Sequence, residues 1–345
     1  MSKPVRLGLV GNPDNRRIRD FRARWVALGQ PEPVLIDYLK LPTVAPCVDV
    51  LRLDSPGENA ALAAHLMALG GSHRAEGLEH GELDDQREFH AGYCELLRRV
   101  ADWGLPAFNA PADIATMFDK WHCHQRFVAA GLRRPPSVLA PSRYAQWRSE
   151  LPEQGRIFLK PLHGSSSSGV CALRWTRSRQ LLQSPLSIES GRLYNSLRVR
   201  RYESWAQIET ILSRLLPQGM IAESWIPKLS LPEGSVDLRI LVIAGEARHA
   251  VFRQSNSPMT NLHLGNRRAF PSGLEDARAE ANHLAVAAAA CFPDSLYVGV
   301  DVLLDARGRA YIGEVNAYGD LLPGLMHQGE DAYTAIARAY LARSA

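Results

Sequence analysis

Two short apolar runs flank a helical pattern at the head of the chain. "VRLGLV" (5–10) and "PVLIDYL" (33–39) are continuous enough for buried parallel strands, and "RRIRDFRARWVALG" (16–29) has helical spacing that stops at Gly29. This is a β-α-β start. Gly8 and Gly11 lack the third glycine of a dinucleotide fingerprint, so a Rossmann cofactor site is not indicated. Residues 57–103 are mostly helical in pattern, broken by the polar stretch "GGSHRAEGLEHGELDD" (70–85), a surface loop in which substrate recognition could lie.

The texture changes near residue 110. Asn109, Pro111 and Asp113 are turn and cap residues before a helix, Gly131 is a helix stop, and Pro135 and Pro136 force an extended exit. "RIFLK" (156–160) and "GVCALRW" (169–175) are strand-like runs joined by a serine loop. Gly164 and Gly169 bracket four residues as in a P-loop. The lysine, however, precedes the loop and a strand follows it, which removes that reading. "GMIAESWI" (219–226) is a further strand. "VDLRILVIAGEARHAVFRQS" (236–255) is a hairpin turned at Ala244-Gly245-Glu246, and an alanine-rich helix spans about 275–291. A last hairpin, "LYVGVDVLLDARGRAYIGEVN" (296–316), precedes a C-terminal helix. The expected division is 1–110, 111–217 and 218–345.

Composition narrows the function classes. A chain of 345 residues, 46% hydrophobic and 22% charged with net charge +4, is an ordinary globular protein of two or three domains and not a nucleic-acid binder. Five widely spaced cysteines without a C-x-x-C pair indicate neither a disulfide framework nor a zinc knuckle. With no leader-like start and no run of about 18 apolar residues, a soluble cytoplasmic protein without membrane contact is expected. "HCH" (122–124) imitates a metal motif, but residues two apart on a helix point about 200° apart.

The last hairpin carries the chemistry. If "ARGR" (306–309) is its loop, Asp305 pairs with Ala310, and the same count sets Asp301 opposite Glu314, with Asn316 on that face. Two carboxylates and an amide among Val300, Val302, Ile312 and Val315 repel unless a cation lies between them. Oxygen-only donors suit Mg²⁺ or Mn²⁺ bridging phosphates. Lys160 ends an apolar strand and Lys120 follows Asp119 in a helix. Arg239 and Arg253 stand in strands where each needs an anionic partner.

The ordered pieces "FDK", "FLKPLHGSSSSGV", "AESWI", "DLRILVIAGEARHAVFRQS", "TNLHLG" and "GVDVLL…YIGEVNAYGD" resemble the ATP-grasp superfamily, most closely its RimK-like carboxylate-amine (glutamate) ligases. The resemblance covers about residues 105–328. It implies an α/β fold in which a small pre-ATP-grasp α/β domain precedes two α+β subdomains that clamp nucleotide. Lys120 and Lys160 would contact phosphates. Gly164, Ser165, Ser166, Ser167, Ser168 and Gly169 would form a mobile lid on the triphosphate. Glu223, Ser224, Trp225 and Ile226 would pair with adenine, and Asp237 would contact the nucleotide. Asp301, Glu314 and Asn316 would hold Mg²⁺, with Glu314 between two ions. Arg239, Arg253 and Asn261 would be the catalytic groups near the γ-phosphate and an acyl phosphate. The serine content of the lid, Leu264 and the long basic stretch 177–204 depart from the family pattern and leave the substrate open.

The implied activity joins a small-molecule or peptide carboxylate to an amine with ATP, and a homo-oligomer is compatible with it. Three rivals stand beside it: an ATP-grasp kinase or peptide macrocyclase, an ATP-binding module without ligase activity, and an NAD(P) oxidoreductase.

Overall fold

The computed structural model describes residues 4–57, 59–74, 79, 81–164, 168–259, 267–319 and 322–343. Its first layer is a parallel sheet, β1 (Leu7–Gly11), β2 (Val34–Asp37) and β3 (Val50–Leu53), in the order β2-β1-β3. All five residues of β1 are buried, as expected for a strand covered on both faces. α1 (Arg16–Ala27) starts where the Asn15 side chain accepts from the Arg17 amide and ends at Gly29, whose φ of 77° suits a glycine stop. α2 (Ala60–Leu69) and α3 (Gln86–Ala101) touch backbone to backbone. A Cβ at Gly70 would lie 1.8 Å from the Glu88 carbonyl oxygen, and one at Gly92 1.8 Å from that of Leu66. α4 (Pro111–Met117) and α5 (Lys120–Ala129) lead out of this layer, α4 with proline at its start and α5 capped by Asp119.

β4 (Ser137–Leu139), α6 (Tyr144–Ser149), β5 (Gly155–Pro161), β6 (Cys171–Trp175), β7 (Gln180–Glu189), β8 (Arg192–Tyr202), α7 (Trp205–Leu215) and β9 (Met220–Ser224) follow. The strands form an antiparallel sheet in the order β4-β9-β5-β6-β7-β8. α7 opens with a reciprocal Ser204–Gln207 capping box and packs Ile208, Ile211, Leu212 and Leu215 onto Leu159, Cys171, Leu173 and Leu182. The basic stretch 177–204 is therefore mostly the β7–β8 hairpin. β9 belongs to this sheet, so sheet membership alone divides the chain after Ser224.

The third sheet runs β13-β12-β11-β14-β15, with β10 (Ser230–Leu231) on β11. Its strands are β11 (Gly234–Ile243), β12 (Glu246–Ser255), β13 (Arg267–Ala269), β14 (Tyr297–Leu304) and β15 (Ala310–Asn316), joined by α8 (Glu275–Ala289) and followed by α9 (Ala332–Arg343). The β11–β12 turn has φ 53° at Ala244 and 85° at Gly245, as the two positive-φ residues of a tight hairpin require. Leu238, Ile240 and Val242 face Ala281, Ala285 and Ala288 of α8 in a core shared with the first layer, while Leu241 and Ile243 face α1 and α9. The second sheet has its own core.

The β14–β15 register corrects one expectation and keeps another. Ala310 pairs with Leu304, not Asp305, and the ladder continues through Val302 opposite Ile312. Gly313 then forms a bulge that shifts the register by one, so that Asp301 does lie opposite Glu314 and Gly299 opposite Asn316. Asp305 turns into the loop, where its carboxylate accepts from the amides of Arg307 and Arg309 at 2.9 and 3.0 Å. No helix among the described residues is long and apolar enough to cross a membrane.

Candidate active site

The face of β11 opposite the α8 core carries Asp237 and Arg239, because strand side chains alternate. Register sets Asp237 beside Arg253 of β12 and Arg239 beside Asp301 of β14. The charges meet in a ladder across three strands. Arg253 donates from Nε to Asp237 at 2.9 Å and its Nη2 lies 3.3 Å from Asp301. Arg239 grips Asp301 with two nitrogens, Nη2 at 3.0 Å. Lys228, just after β9, reaches Asp237 at 3.2 Å. Asp237, Arg239, Arg253 and Asp301 are all buried. Burial pushes the Lys228 ammonium below its ordinary pKa against the pull of Asp237. At Arg253 burial also opposes the charge, but Asp237 and Asp301 outweigh it and the guanidinium is held more firmly charged than usual. Among the described residues the ladder thus sets Lys228, Arg239 and Arg253 around Asp237 and Asp301.

The second sheet presents a separate cluster. Phe158 pairs with Glu223 across β5 and β9, and two residues on, Lys160 sets its Nζ 2.5 Å from the buried Glu223 carboxylate. Arg134 holds the other carboxylate oxygen at 3.1 Å, although burial lowers its pKa. Beyond Ser224 the backbone leaves the sheet. The Ser224 amide donates to the Pro136 carbonyl at 2.8 Å, Trp225 packs on Phe158 with ring centres 4.9 Å apart, and Ile226 follows.

Lys120 joins these parts. As the first residue of α5 it is fixed by Asp119, whose side chain caps the amides of Trp121 and His122 at 2.8 and 2.9 Å. Its Nζ donates to the Gly164 carbonyl at 2.6 Å and stands 3.2 Å from Glu314. The root of the serine loop and the acidic end of β15 thus meet on one ammonium. At the loop's other end Gly169 has φ 72°, and a Cβ there would lie 2.8 Å from the Pro161 ring; Ser168 precedes it. Ser165, Ser166, Ser167 and Asn261 lie outside the described residues.

"HCH" diverges. His122 is exposed and pairs with Asp119, the Cys123 thiol donates to the Thr116 carbonyl at 3.2 Å, and His124 stacks on Trp121. Burial pushes the Cys123 thiol up to about 12. Among the described residues no three of His, Cys, Asp and Glu converge on one metal position. The set Asp301, Glu314 and Asn316 is different in kind, two carboxylates and an amide. Each carboxylate is held by cationic groups of the chain, and the buried Asn316 amide nitrogen has no hydrogen-bond partner. A half-turn of that amide would offer an oxygen in its place. Oxygen donors that already draw positive charge fit a hard divalent ion.

Sequence reading missed Lys228 and Arg134. Lys228 sits in a polar turn where lysine is unremarkable, and only its bridge partner Asp305 and the pairing with Asp237 reveal it. Arg134 precedes Pro135, and that extended exit was the available signal.

A family model described as YheC/D like ATP-grasp matches residues 112–320, more than half of the chain. The chain belongs to the YheC/D-like ATP-grasp family. Solved structures with the same fold include the ATP-grasp ligase PsnB complexed with a minimal precursor, at 16% identity and TM-score 0.57 over 99% of this chain and 100% of that one. D-cycloserine synthetase DcsG is similar at 16% identity and TM-score 0.62 over 98% and 99%. A RimK domain ATP-grasp protein from Sphaerobacter thermophilus is similar at 14% identity and TM-score 0.59 over 97% and 98%. No curated protein sequence matches the chain. The ATP-grasp resemblance and the mixed α/β fold expected from the sequence are thereby borne out.

Proposed function

We propose that the protein is an ATP- and Mg²⁺-dependent carboxylate-amine ligase that forms an amide or peptide bond through an acyl phosphate. The observation that carries this reading is the double contact of Lys120 with the lid root at Gly164 and with Glu314. It brings the Lys120 ammonium, the Gly164 end of the serine loop and the acidic end of β15 together. Two other features support it: the buried arginines Arg239 and Arg253, and the family to which the chain belongs.

In this reading the substrate carboxylate attacks the γ-phosphorus of ATP and ADP leaves. The amine then attacks the acyl carbon, inorganic phosphate leaves and the nitrogen loses a proton. Lys160 and Lys120 hold phosphates, with Glu223 and Arg134 fixing Lys160. Glu223 to Ile226 form the strand exit that receives adenine, and Asp237 orients Lys228 and Arg253 toward the nucleotide. Arg239 and Arg253 neutralise charge that grows on the transferring phosphoryl group, a contribution strongest in a water-poor site. Asn261 is assigned beside them. The lid from Gly164 to Gly169 keeps water from the acyl phosphate. Asp301, Glu314 and Asn316 would hold Mg²⁺, with Mn²⁺ a chemically similar substitute, and the bound metal would supply charge neutralisation to phosphate oxygens.

The test is ADP release with Mg²⁺ and ATP against pooled amino acids, small peptides and carboxylates. Peptides belong in the pool because PsnB is known in complex with a precursor. ADP release that depends on one acid and one amine, with a product lighter than their sum by one water, is the expected result. A phosphorylated product, or nucleotide binding without turnover in any pool, would replace the ligase reading with a kinase or a binding module.

A further inference from the structure

We infer that Tyr93, on α3 of the first layer, is a positioning residue for the proposed metal and phosphate groups, acting through Tyr318 and Phe118. The inference rests on the nucleotide-metal reading above and adds a residue outside the matched segment 112–320. Tyr93 is fully buried. Its hydroxyl contacts the hydroxyl of Tyr318, 225 residues away in sequence. Its ring lies 5.2 Å from Phe118, and Phe118 lies 5.8 Å from Tyr318 in an edge-on arrangement. These two partners have telling places in the chain. Phe118 immediately precedes Asp119 and Lys120, and Tyr318 follows Asn316 by two residues.

The turn that carries Tyr318 is fixed on its other sides. Gly319 donates its amide to the Asn316 carbonyl at 3.2 Å, and the buried Asn109 amide donates to the carbonyls of Ala317 and Tyr297 at 2.7 and 2.8 Å. Gly319 also presses on β14 so closely that a Cβ at Gly299 would lie 2.7 Å from its carbonyl oxygen. Asn109 and Gly299 therefore pin this turn to β14, whereas the Tyr93 hydroxyl ties it to α3. Behind Tyr93, the Tyr38 hydroxyl donates to the Asp54 carbonyl at 2.6 Å and the Tyr38 ring meets Tyr93 edge-on at 6.3 Å. Burial raises the pKa of all three phenols well above the ordinary value, so the group is neutral and acts by hydrogen bonding alone.

Phenylalanine would fill the Tyr93 and Tyr318 positions without burying hydroxyls. The hydroxyl pair sits where the start of α5 and the exit of β15 must be held at a fixed separation, the separation that sets Lys120 against Glu314. Loss of either hydroxyl should loosen that alignment while the aromatic packing remains.

The test uses the full chain with Tyr93→Phe, Tyr318→Phe and the double variant. AMP-PNP binding is measured by calorimetry with Mg²⁺ and with EDTA, beside the melting temperature of the free protein. Each single variant should bind AMP-PNP about tenfold more weakly in Mg²⁺, the scale of one lost hydrogen bond, and unchanged in EDTA. The double variant should be no weaker than either single one, because the two hydroxyls act as a unit. If Tyr93→Phe does not fold, Tyr318→Phe carries the same comparison. Unchanged Mg²⁺-dependent binding, with or without a lower melting temperature, overturns the positioning role and leaves the ligase reading standing. Failure of the unsubstituted protein to bind AMP-PNP in Mg²⁺ overturns the ligase reading itself, and this inference with it.

Discussion

The Lys120 ammonium stands 3.2 Å from Glu314 and at the same time donates to the Gly164 carbonyl at 2.6 Å. One side chain of α5 thereby links the end of β15 to the root of the serine loop. Both acceptors, the Gly164 carbonyl and the Glu314 carboxylate, would have to share it with any phosphate that enters, so in the proposed reading Lys120 latches the serine loop to Glu314. Lys120→Met should weaken ATP binding by about ten- to a hundredfold, the value of a charge-assisted hydrogen bond. Calorimetry with AMP-PNP measures this, and unchanged affinity would remove Lys120 from the phosphate site.

Glu314→Gln removes charge and almost no volume. ATP-dependent turnover should fall by about a thousandfold while stability changes by less than about 1 kcal/mol, since the carboxylate is partly exposed. Phosphate release at the unsubstituted rate would contradict the proposed metal-ligand role.

Arg239→Ala should touch stability as well as the proposed chemistry, because Arg239 pairs with the buried Asp301. Among the described residues the buried Asp301 would keep Arg253 as its cationic partner, so a loss of about 2 kcal/mol is expected in urea unfolding. Turnover should fall more than AMP-PNP affinity does, because charge at the phosphoryl group grows in the transition state. A variant that loses only nucleotide affinity would place Arg239 in the ground-state site instead.

The Asp301–Glu314 pairing was legible in the sequence through two irregularities that cancel. A regular hairpin counted from a four-residue loop gives the pair, yet the ladder near the turn is one residue out of that register and the bulge at Gly313 restores it. An isolated glycine in a strand is the signal for such a bulge. The β7–β8 hairpin also carried a signal, Ser190-Gly191 with φ 47° and 77° at its turn. Pro185 obscured it by interrupting the run, and the register breaks between Ser184 and Leu186 on either side of that proline. The charge ladder from Lys228 to Arg239 was legible only in part. Alternation identifies the face of one strand, but which charges meet across strands depends on register between segments far apart in sequence.

Acid should destabilise the protein through the lid root. His163 stacks on His90 with ring centres 3.7 Å apart, and His122, Asp119, Lys120 and Cys94 are the other titratable groups around the pair. Burial, with the His90 charge second and against the pull of Asp119, lowers the His163 pKa to about 4. A histidine depressed in the fold binds its proton in the unfolded chain first. The stabilisation is complete above about pH 6.5 and is lost as pH falls toward 4, by about 3 kcal/mol for a shift of this size. Burial lowers His90 as well, in the same sense. Urea unfolding at intervals between pH 7 and 4 should show that slope, and His163→Phe should flatten it. An equal slope in the variant would assign the acid sensitivity to other groups.

Gly92 tests whether the backbone contact of α2 and α3 supports the site. A Cβ there would lie 1.8 Å from the Leu66 carbonyl oxygen, and the mirror contact at Gly70 leaves neither helix room to slide. The helices must separate if alanine is introduced. Leu62, Leu66, Leu96, Leu97 and Val100 would then lose contact in the core shared with the third sheet. Overpacking of this kind costs about 3 kcal/mol. Glu95→Ala, three residues along the same helix on its exposed side, removes only surface pairs with Arg98 and Arg99 and should change stability by less than about 1 kcal/mol. Because Gly92 adjoins Tyr93, the alanine variant should also weaken AMP-PNP binding in Mg²⁺, whereas Glu95→Ala should not. Equal melting temperatures for the two variants would mean that the helices separate freely, and that the contact is no support for the site.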